Sequence, residues 1–96
     1  MTYSEFMNSL NKIDHDIENP ILRALRYDAI GDWSSAHQIV DGMQGNDAAW
    51  IHAYLHRKEG DIWNADYWYR RANRTRPPCS LSAEWKSLIK HFTIQH

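Results

Sequence analysis

The stretch AWIHAYLHRKEGDIWNADYWYRRA, residues 49–72, decides the fold of this chain. Gly60 follows a run that contains no Gly or Pro, and a glycine just past a helix adopts the left-handed conformation without steric cost. Asp61 comes next, where a short carboxylate accepts hydrogen bonds from the free N–H groups of a following helix. The Gly-Asp pair therefore predicts two antiparallel helices joined by a very short turn.

The same corner occurs once before, 29 residues earlier, where Gly31-Asp32 aligns with Gly60-Asp61. An interval of this size is typical of stacked helical repeats. The alignment also superposes small residues at the places where two helices of a hairpin approach most closely, namely Ala24 on Ala53 and Ala36 on Ala65. We therefore expect two copies of one helical hairpin.

The segments GDWSSA (31–36) and GDIWNA (60–65) resemble the Gly-Asp-aromatic-x-x-Ala corner of the tetratricopeptide repeat family. In the second copy the likeness continues through Tyr69 to Pro77, and overall it covers residues 20–77. The interval is shorter than the family's usual length of about 34 residues. The resemblance implies an all-α fold in which antiparallel hairpins stack as a short right-handed superhelix.

We predict about six helices in a single domain, with an N-terminal and a C-terminal helix flanking the two repeats. In this division, residues 1–18 form a helix and a loop, 19–44 the first repeat, 46–77 the second repeat, and 80–96 a helix that caps the open end of the stack. Side chains suited to helix N-termini occur near four of the predicted starts: Thr2 with Glu5, Asn19 before Pro20, Asn46 with Asp47, and Ser80 or Ser82.

Charge is distributed unevenly along the chain. Residues 1–48 contain three Lys/Arg and eight Asp/Glu, a net charge of −5, whereas residues 49–96 contain eight and four, a net charge of +4. Such a dipolar chain can dock on an acidic partner or form a homo-oligomer by head-to-tail pairing. The alternative is a solvated basic surface, or arginines that pair with nearby carboxylates such as Asp61 and Asp66.

The compartment is predicted from what the sequence lacks. No stretch approaches the roughly 18 consecutive apolar residues of a membrane-spanning helix, and the N-terminus MTYSEFMNSL has no basic and apolar regions of a signal peptide. A lone Cys79 cannot form an internal disulfide. We therefore expect a cytoplasmic protein that neither spans nor binds a membrane.

The resemblance also implies a binding surface, because in tetratricopeptide proteins the first helix of each repeat lines a concave groove for a peptide or partner helix. Carried over to this chain, the groove includes Leu25, Asp28, Asp47, Trp50, Tyr54 and Arg57. Trp50 and Tyr54 would be apolar anchors, and Arg57 would pair with a carboxylate. The alternative places Trp50 in the core against the N-terminal helix.

A second surface on the fifth helix combines aromatic and basic side chains. Its residues are Trp63, Tyr67, Arg70, Arg71 and Arg74. Aromatic rings interleaved with arginines can stack on bases and contact phosphates. However, a pI of about 6.6 disfavours a dedicated nucleic-acid binder. We also expect the sixth helix to cover Trp63 and Tyr67 in part.

Two histidines have the spacing of metal ligands. His52 and His56 lie one turn apart on one helix face, and the alternative function is a metal-dependent enzyme whose site His37 or Glu59 would complete. That face also carries small residues and should pack inside the hairpin, where a histidine is more often part of a hydrogen-bonded core. The sequence therefore favours a protein- or peptide-binding scaffold without enzymatic activity, metal or other cofactor.

Overall fold

The computed structural model describes residues 1–12 and 17–94 of the chain. Within these ranges it contains six α-helices and a single isolated β-bridge, which confirms the all-α prediction of about six helices. The helices are α1 (Tyr3–Ser9), α2 (Pro20–Ala29), α3 (Trp33–Asp41), α4 (Asn46–Lys58), α5 (Ile62–Arg71) and α6 (Leu81–Phe92). Residues 13–16, which belong to the segment 1–18 predicted as a helix and a loop, lie outside the described residues.

The two Gly-Asp corners have the same geometry. Gly31 and Gly60 have φ angles of 90° and 91°, and the N–H of the following Asp donates to a carbonyl five residues earlier in both copies, at 2.8 and 3.0 Å. Asp32 and Asp61 then cap α3 and α5 by accepting hydrogen bonds from backbone N–H groups. The predicted turns are confirmed. They could be predicted because the conformation of each turn depends only on residues close to it in the sequence.

Each corner joins two helices that pack closely, α2 on α3 and α4 on α5. The four alanines superposed by the repeat are fully buried, which allows this approach. Helix α3 also packs against α4 and so connects the two hairpins. The buried apolar side chains of α2 and α4 form most of the main core.

Three of the predicted helix starts are confirmed and one is wrong. The side chains of Thr2, Asn19 and Ser80 cap α1, α2 and α6. Helix α4 instead begins after Gly45, which has a φ of 100° and provides no side-chain cap. Asn46 and Asp47 thus lie inside the first turn of α4 rather than in front of it.

The position of α6 differs from the prediction. Helix α6 does not cover the open end of the hairpin stack but packs across α2 and α4, the first helices of both hairpins, and also contacts α1. Its apolar stripe explains this placement, since Leu88 and Ile89 are fully buried in the same cluster as Phe6. Trp63 and Tyr67 are consequently 78% and 37% exposed, so the expectation that α6 covers them is wrong.

A buried carboxylate fixes α6 in this position. Glu84 on α6 is 2% exposed and accepts hydrogen bonds from Arg57 Nη1 on α4 at 2.8 Å and from the Tyr69 hydroxyl on α5 at 2.7 Å. Burial and the bond to Glu84 raise the pKa of Tyr69, so its hydroxyl keeps its proton and remains a donor. Arg57 also donates to the carbonyl of Cys79, at the start of α6.

We expect Gly60→Ala to destabilise the protein by about 1 to 2 kcal/mol, because a side chain disfavours the left-handed conformation even though the space around Gly60 is open. Gly42→Ala is the matched control, since Gly42 has a φ of −85° and ends α3 in a right-handed conformation. Urea unfolding followed by circular dichroism measures both. Equal effects of the two changes would contradict the role given to the Gly-Asp corner.

We expect Tyr69→Phe to lower the free energy of unfolding by about 1.5 to 3 kcal/mol, the usual range for a hydrogen bond to a charged group. Tyr67→Phe on the same helix is the control, because its hydroxyl only accepts a bond from Arg71 at the surface and its loss should cost less than about 0.5 kcal/mol. Thermal unfolding distinguishes them. Similar melting temperatures for the two variants would show that the Glu84 contact does not hold α6.

Candidate functional site

Helix α6 fills the surface that the tetratricopeptide resemblance assigned to a partner. Leu25 is completely buried, and Asp28 and Tyr54 are 2% and 3% exposed. These three residues are therefore inaccessible to a partner in this structure. The physical reason is that the apolar faces of α2 and α4, which would line a groove, instead bury the apolar face of α6.

The polar atoms of this covered region satisfy one another. Asp28 accepts hydrogen bonds from the Tyr54 hydroxyl at 3.1 Å and from Lys58 Nζ at 2.8 Å, one on each carboxylate oxygen. Burial and the charge of Asp28 raise the pKa of Tyr54. These two hydrogen bonds link α2 to α4. They also explain why the Asp28 carboxylate is buried without invoking a ligand.

The other three predicted groove residues have different environments. Asp47 is exposed at the start of α4, and Arg57 forms its ion pair within the chain, with Glu84. Trp50 is half-buried and packs against His91 and Phe92 of α6, with ring centroids 5.0 and 5.6 Å away. These contacts are with the C-terminal helix, not with the N-terminal helix as the core alternative expected.

The free side of Trp50 opens into a cleft of about 830 Å³. We call this the Trp50 cleft; it lies between the C-terminal end of α5, the connection that follows it, and α6. The residues used below are Trp50, Arg70, Arg74, Pro77, Glu84 and His91. Sequence reasoning singled out the first three but not the cleft. It gave Pro77 only as the end of the second copy, and it missed Glu84 and His91, because no local pattern indicates that α6 passes beside α5.

Arg74 reaches the cleft because α5 ends with a residue in the left-handed conformation. Asn73, just past the helix, has a φ of 60°, and the Arg74 N–H donates back to the Tyr69 carbonyl at 2.9 Å. This left-handed residue ends the helix and changes the direction of the chain. The guanidinium carbon of Arg74 consequently lies 3.4 Å from the ring centroid of Trp50, in cation–π contact.

The charge of the cleft is positive. Its carboxylate, Glu84, is already bonded to Arg57 and Tyr69. Arg70 and Arg74 are exposed, and neither has a carboxylate partner among the described residues. The cleft therefore combines an aromatic floor with two cations whose hydrogen-bond donors are available to a ligand.

The predicted basic aromatic face of α5 is divided by the fold. Arg70 and Arg74 line the Trp50 cleft, whereas Arg71 donates to the Tyr67 hydroxyl at 3.0 Å on the outer surface of α5. Trp63 is exposed on this helix as well. The pairing of arginines with carboxylates that the sequence suggested occurs at Asp66, which accepts from Arg76 at 3.0 Å; Asp61 caps α5 instead.

A separate cluster of three histidines lies between α3 and α4. The Nε2 atoms of His37 and His52 are 3.0 Å apart, and His52 and His56 stack with ring centroids 4.9 Å apart. One ring nitrogen from each residue lies within 4.8 Å of the others. The fold thus brings His37 to the pair of histidines that the sequence singled out, and Glu59 also contacts the cluster, through His56 Nδ1 at 2.8 Å.

Two tryptophans hold the histidine rings. Trp33 stacks on His37 at a centroid distance of 4.9 Å and anchors itself by donating to the Leu55 carbonyl. Trp68 stacks on His52 at 3.9 Å. Burial, with further contributions from the neighbouring histidines, lowers the pKa of His52 to about 4. His52 is therefore a neutral imidazole at neutral pH, and the lone pair on its unprotonated ring nitrogen can bind a metal ion or accept a hydrogen bond.

No protein-family model matches this chain, and no curated protein or solved structure matches it. The tetratricopeptide-like interpretation stays a prediction from the two Gly-Asp corners. None of the described helices has the length and apolar character needed to cross a membrane.

The lowered pKa of His52 predicts a dependence of stability on pH. In the unfolded chain His52 has its ordinary pKa of 6.5, and in the folded chain its pKa is about 4. Between these two pH values the unfolded state binds a proton on His52 that the folded state does not bind. Stability is therefore lost on acidification, by about 2 kcal/mol between pH 7.5 and 5 from this group. Urea unfolding in the presence of EDTA, which keeps the histidines free of metal, measures the change.

Two variants show whether His52 is responsible. His52→Gln should remove most of this pH dependence, whatever it does to the stability at pH 7.5. His91→Gln should keep it, since His91 is exposed. An unchanged pH dependence in His52→Gln would contradict the assignment.

Proposed function

We propose that this protein is a small helical scaffold that binds an acidic segment of a partner protein in the Trp50 cleft. The observation that carries the proposal is that Arg70 and Arg74 lie beside Trp50 in one concave site, where no carboxylate among residues 1–12 and 17–94 pairs with them. A concave pocket with an apolar wall and a few convergent polar groups is the usual form of a binding site.

The chemistry of the cleft favours a carboxylate next to an apolar side chain. A guanidinium binds a carboxylate through two parallel hydrogen bonds, which adds geometric specificity to the attraction. The apolar side chain would lie against Trp50 and Pro77, where an aromatic ring contributes a large contact area. The net charge of +4 on residues 49–96 would steer acidic segments to this half of the chain.

The proposed site is also consistent with a tetratricopeptide-like relationship. The closely similar backbone geometry of the two Gly-Asp corners supports two copies of one hairpin. In that family the partner lies on the first helices of the repeats; here α6 already lies there, so the partner would bind at its edge, beside Trp50. We propose a cytoplasmic protein that acts by binding and does not catalyse a reaction.

A second candidate is single-stranded nucleic acid on the outer surface of α5. The observation that favours it is Trp63, 78% exposed on the helix that also carries Tyr67 and Arg71, since exposed rings beside arginines stack on bases. A net charge of −1 argues against it. The same exposed surface allows a second copy of the chain to bind there instead.

Selection from phage-displayed random dodecapeptides tests the acidic-peptide proposal. Enriched peptides should contain Asp or Glu next to an apolar residue. Their affinity should fall at least about tenfold, or 1.4 kcal/mol, for the double variant Arg70→Glu/Arg74→Glu. The matched control is Lys12→Glu/Lys86→Glu, which changes the net charge equally at exposed positions outside the cleft and should keep the affinity.

Other results would point elsewhere. Peptides that bind both double variants equally would overturn the proposal. Binding of labelled oligothymidylate, measured by fluorescence anisotropy, would support the nucleic-acid candidate if Trp63→Ser abolished it and Arg70→Glu/Arg74→Glu did not. A dimer by light scattering that dissociates at high salt would indicate head-to-tail pairing of the acidic and basic halves.

A further inference from the structure

We propose that His37, His52 and His56 form a binding site for a transition-metal ion such as Zn²⁺, with its fourth coordination position open. The site has no residue in common with the Trp50 cleft. An experiment that contradicts the acidic-peptide proposal therefore does not contradict the metal site, and the reverse also holds.

The distances between the ring nitrogens suit a tetrahedral ion. Zn–N bonds of about 2.0 to 2.1 Å in tetrahedral geometry place two ligand nitrogens about 3.3 Å apart. The Nε2 atoms of His37 and His52 are 3.0 Å apart, and the three ligand atoms all lie within 4.8 Å of one another. Small rotations of the side chains would therefore be enough to bring all three nitrogens onto one ion.

The hydrogen bonds leave nitrogens available for such an ion. The facing Nε2 atoms of His37 and His52 can share only one proton as a hydrogen bond, and a metal ion would replace that proton. His56 uses Nδ1 to contact Glu59, which leaves Nε2 as its coordinating atom. A carboxylate on the outer nitrogen is the usual partner of a zinc-bound histidine, because it orients the ring and raises its basicity.

The elements that carry the ligands are well ordered by their packing. His52 and His56 are one turn apart on α4, and His37 extends from α3, which packs against it. Trp33 and Trp68 stack on two of the rings and restrict their rotation. A rigid arrangement of this kind reduces the entropy that ligands lose when they bind a metal.

The burial of the cluster indicates an open coordination position. His52 and His56 are 3% and 8% exposed, whereas His37 is half-buried and borders solvent. An ion held by three histidines would thus keep one position for water, as catalytic zinc sites do, whereas structural zinc sites have four protein ligands. Within the described residues, no fourth histidine, cysteine or carboxylate closes the cluster formed by these three.

A zinc titration of the untagged protein tests the site. Metal is first removed with EDTA, the EDTA is then removed, and the affinity for Zn²⁺ is measured in competition with a chromophoric chelator. We expect one Zn²⁺ per chain. Co²⁺ as a probe should produce the intense visible absorption of a tetrahedral complex, in place of the weak absorption of the hydrated ion. Metal binding should also raise the melting temperature, because the ion binds the folded state.

Three variants locate the ion. His37→Gln should weaken Zn²⁺ binding at least about tenfold and abolish the tetrahedral Co²⁺ spectrum, since it removes a ligand. Glu59→Ala should weaken binding by about 10- to 100-fold through the orientation of His56. His91→Gln should leave affinity and spectrum unchanged. Because Glu59 is exposed, its variant keeps the test valid if His37→Gln fails to fold.

Several outcomes would overturn the proposal. These are the absence of stoichiometric binding, a Co²⁺ spectrum like that of the hydrated ion, unchanged affinity in both His37→Gln and Glu59→Ala, or an equal loss of affinity in His91→Gln. A histidine cluster that serves only as hydrogen-bonded core would produce the first of these results.

Discussion

The position of α6 on the two hairpins depends on the contact between Glu84 of α6 and its two donors, Arg57 and Tyr69. A buried carboxylate is costly unless its charge is paired and its lone pairs accept hydrogen bonds. Here the donors come from α4 and α5, so the charge is satisfied when Glu84 of α6 lies within reach of both helices of the second hairpin. Apolar burial brings α6 to the first helices, and this polar contact selects its position.

The position of α6 determines which surfaces remain for a partner. It covers Leu25, Asp28 and Tyr54, and it forms one wall of the cleft in which Trp50 contacts Arg74. Because α6 does not lie on α5, the outer surface of α5 stays exposed. The Trp50 cleft and the exposed surface of α5 therefore both result from the long-range packing of α6.

The histidine cluster depends on the hairpins and not on α6. Its histidines lie on α3 and α4, which pack against each other and so connect the two hairpins. The spacing of His52 and His56 along one helix was visible in the sequence, since residues one turn apart share a face. That His37 reaches the same point is a tertiary contact, and it adds a third imidazole to the pair that the sequence singled out.

The sequence by itself determined the features that depend on neighbouring residues. The corners at Gly31 and Gly60, and the caps at Thr2, Asn19 and Ser80, follow from backbone conformation and from hydrogen bonds over a few residues, so six helices could be predicted. The start of α4 was mispredicted, because polar residues followed Gly45 and several positions suited a cap.

Only the tertiary structure decided where α6 lies, how Arg74 reaches Trp50, and that His37 joins His52. These contacts bring together residues distant along the chain, and many packings bury a similar apolar area. What selects one of them is the simultaneous satisfaction of buried polar groups such as Glu84, which no local pattern in the sequence encodes.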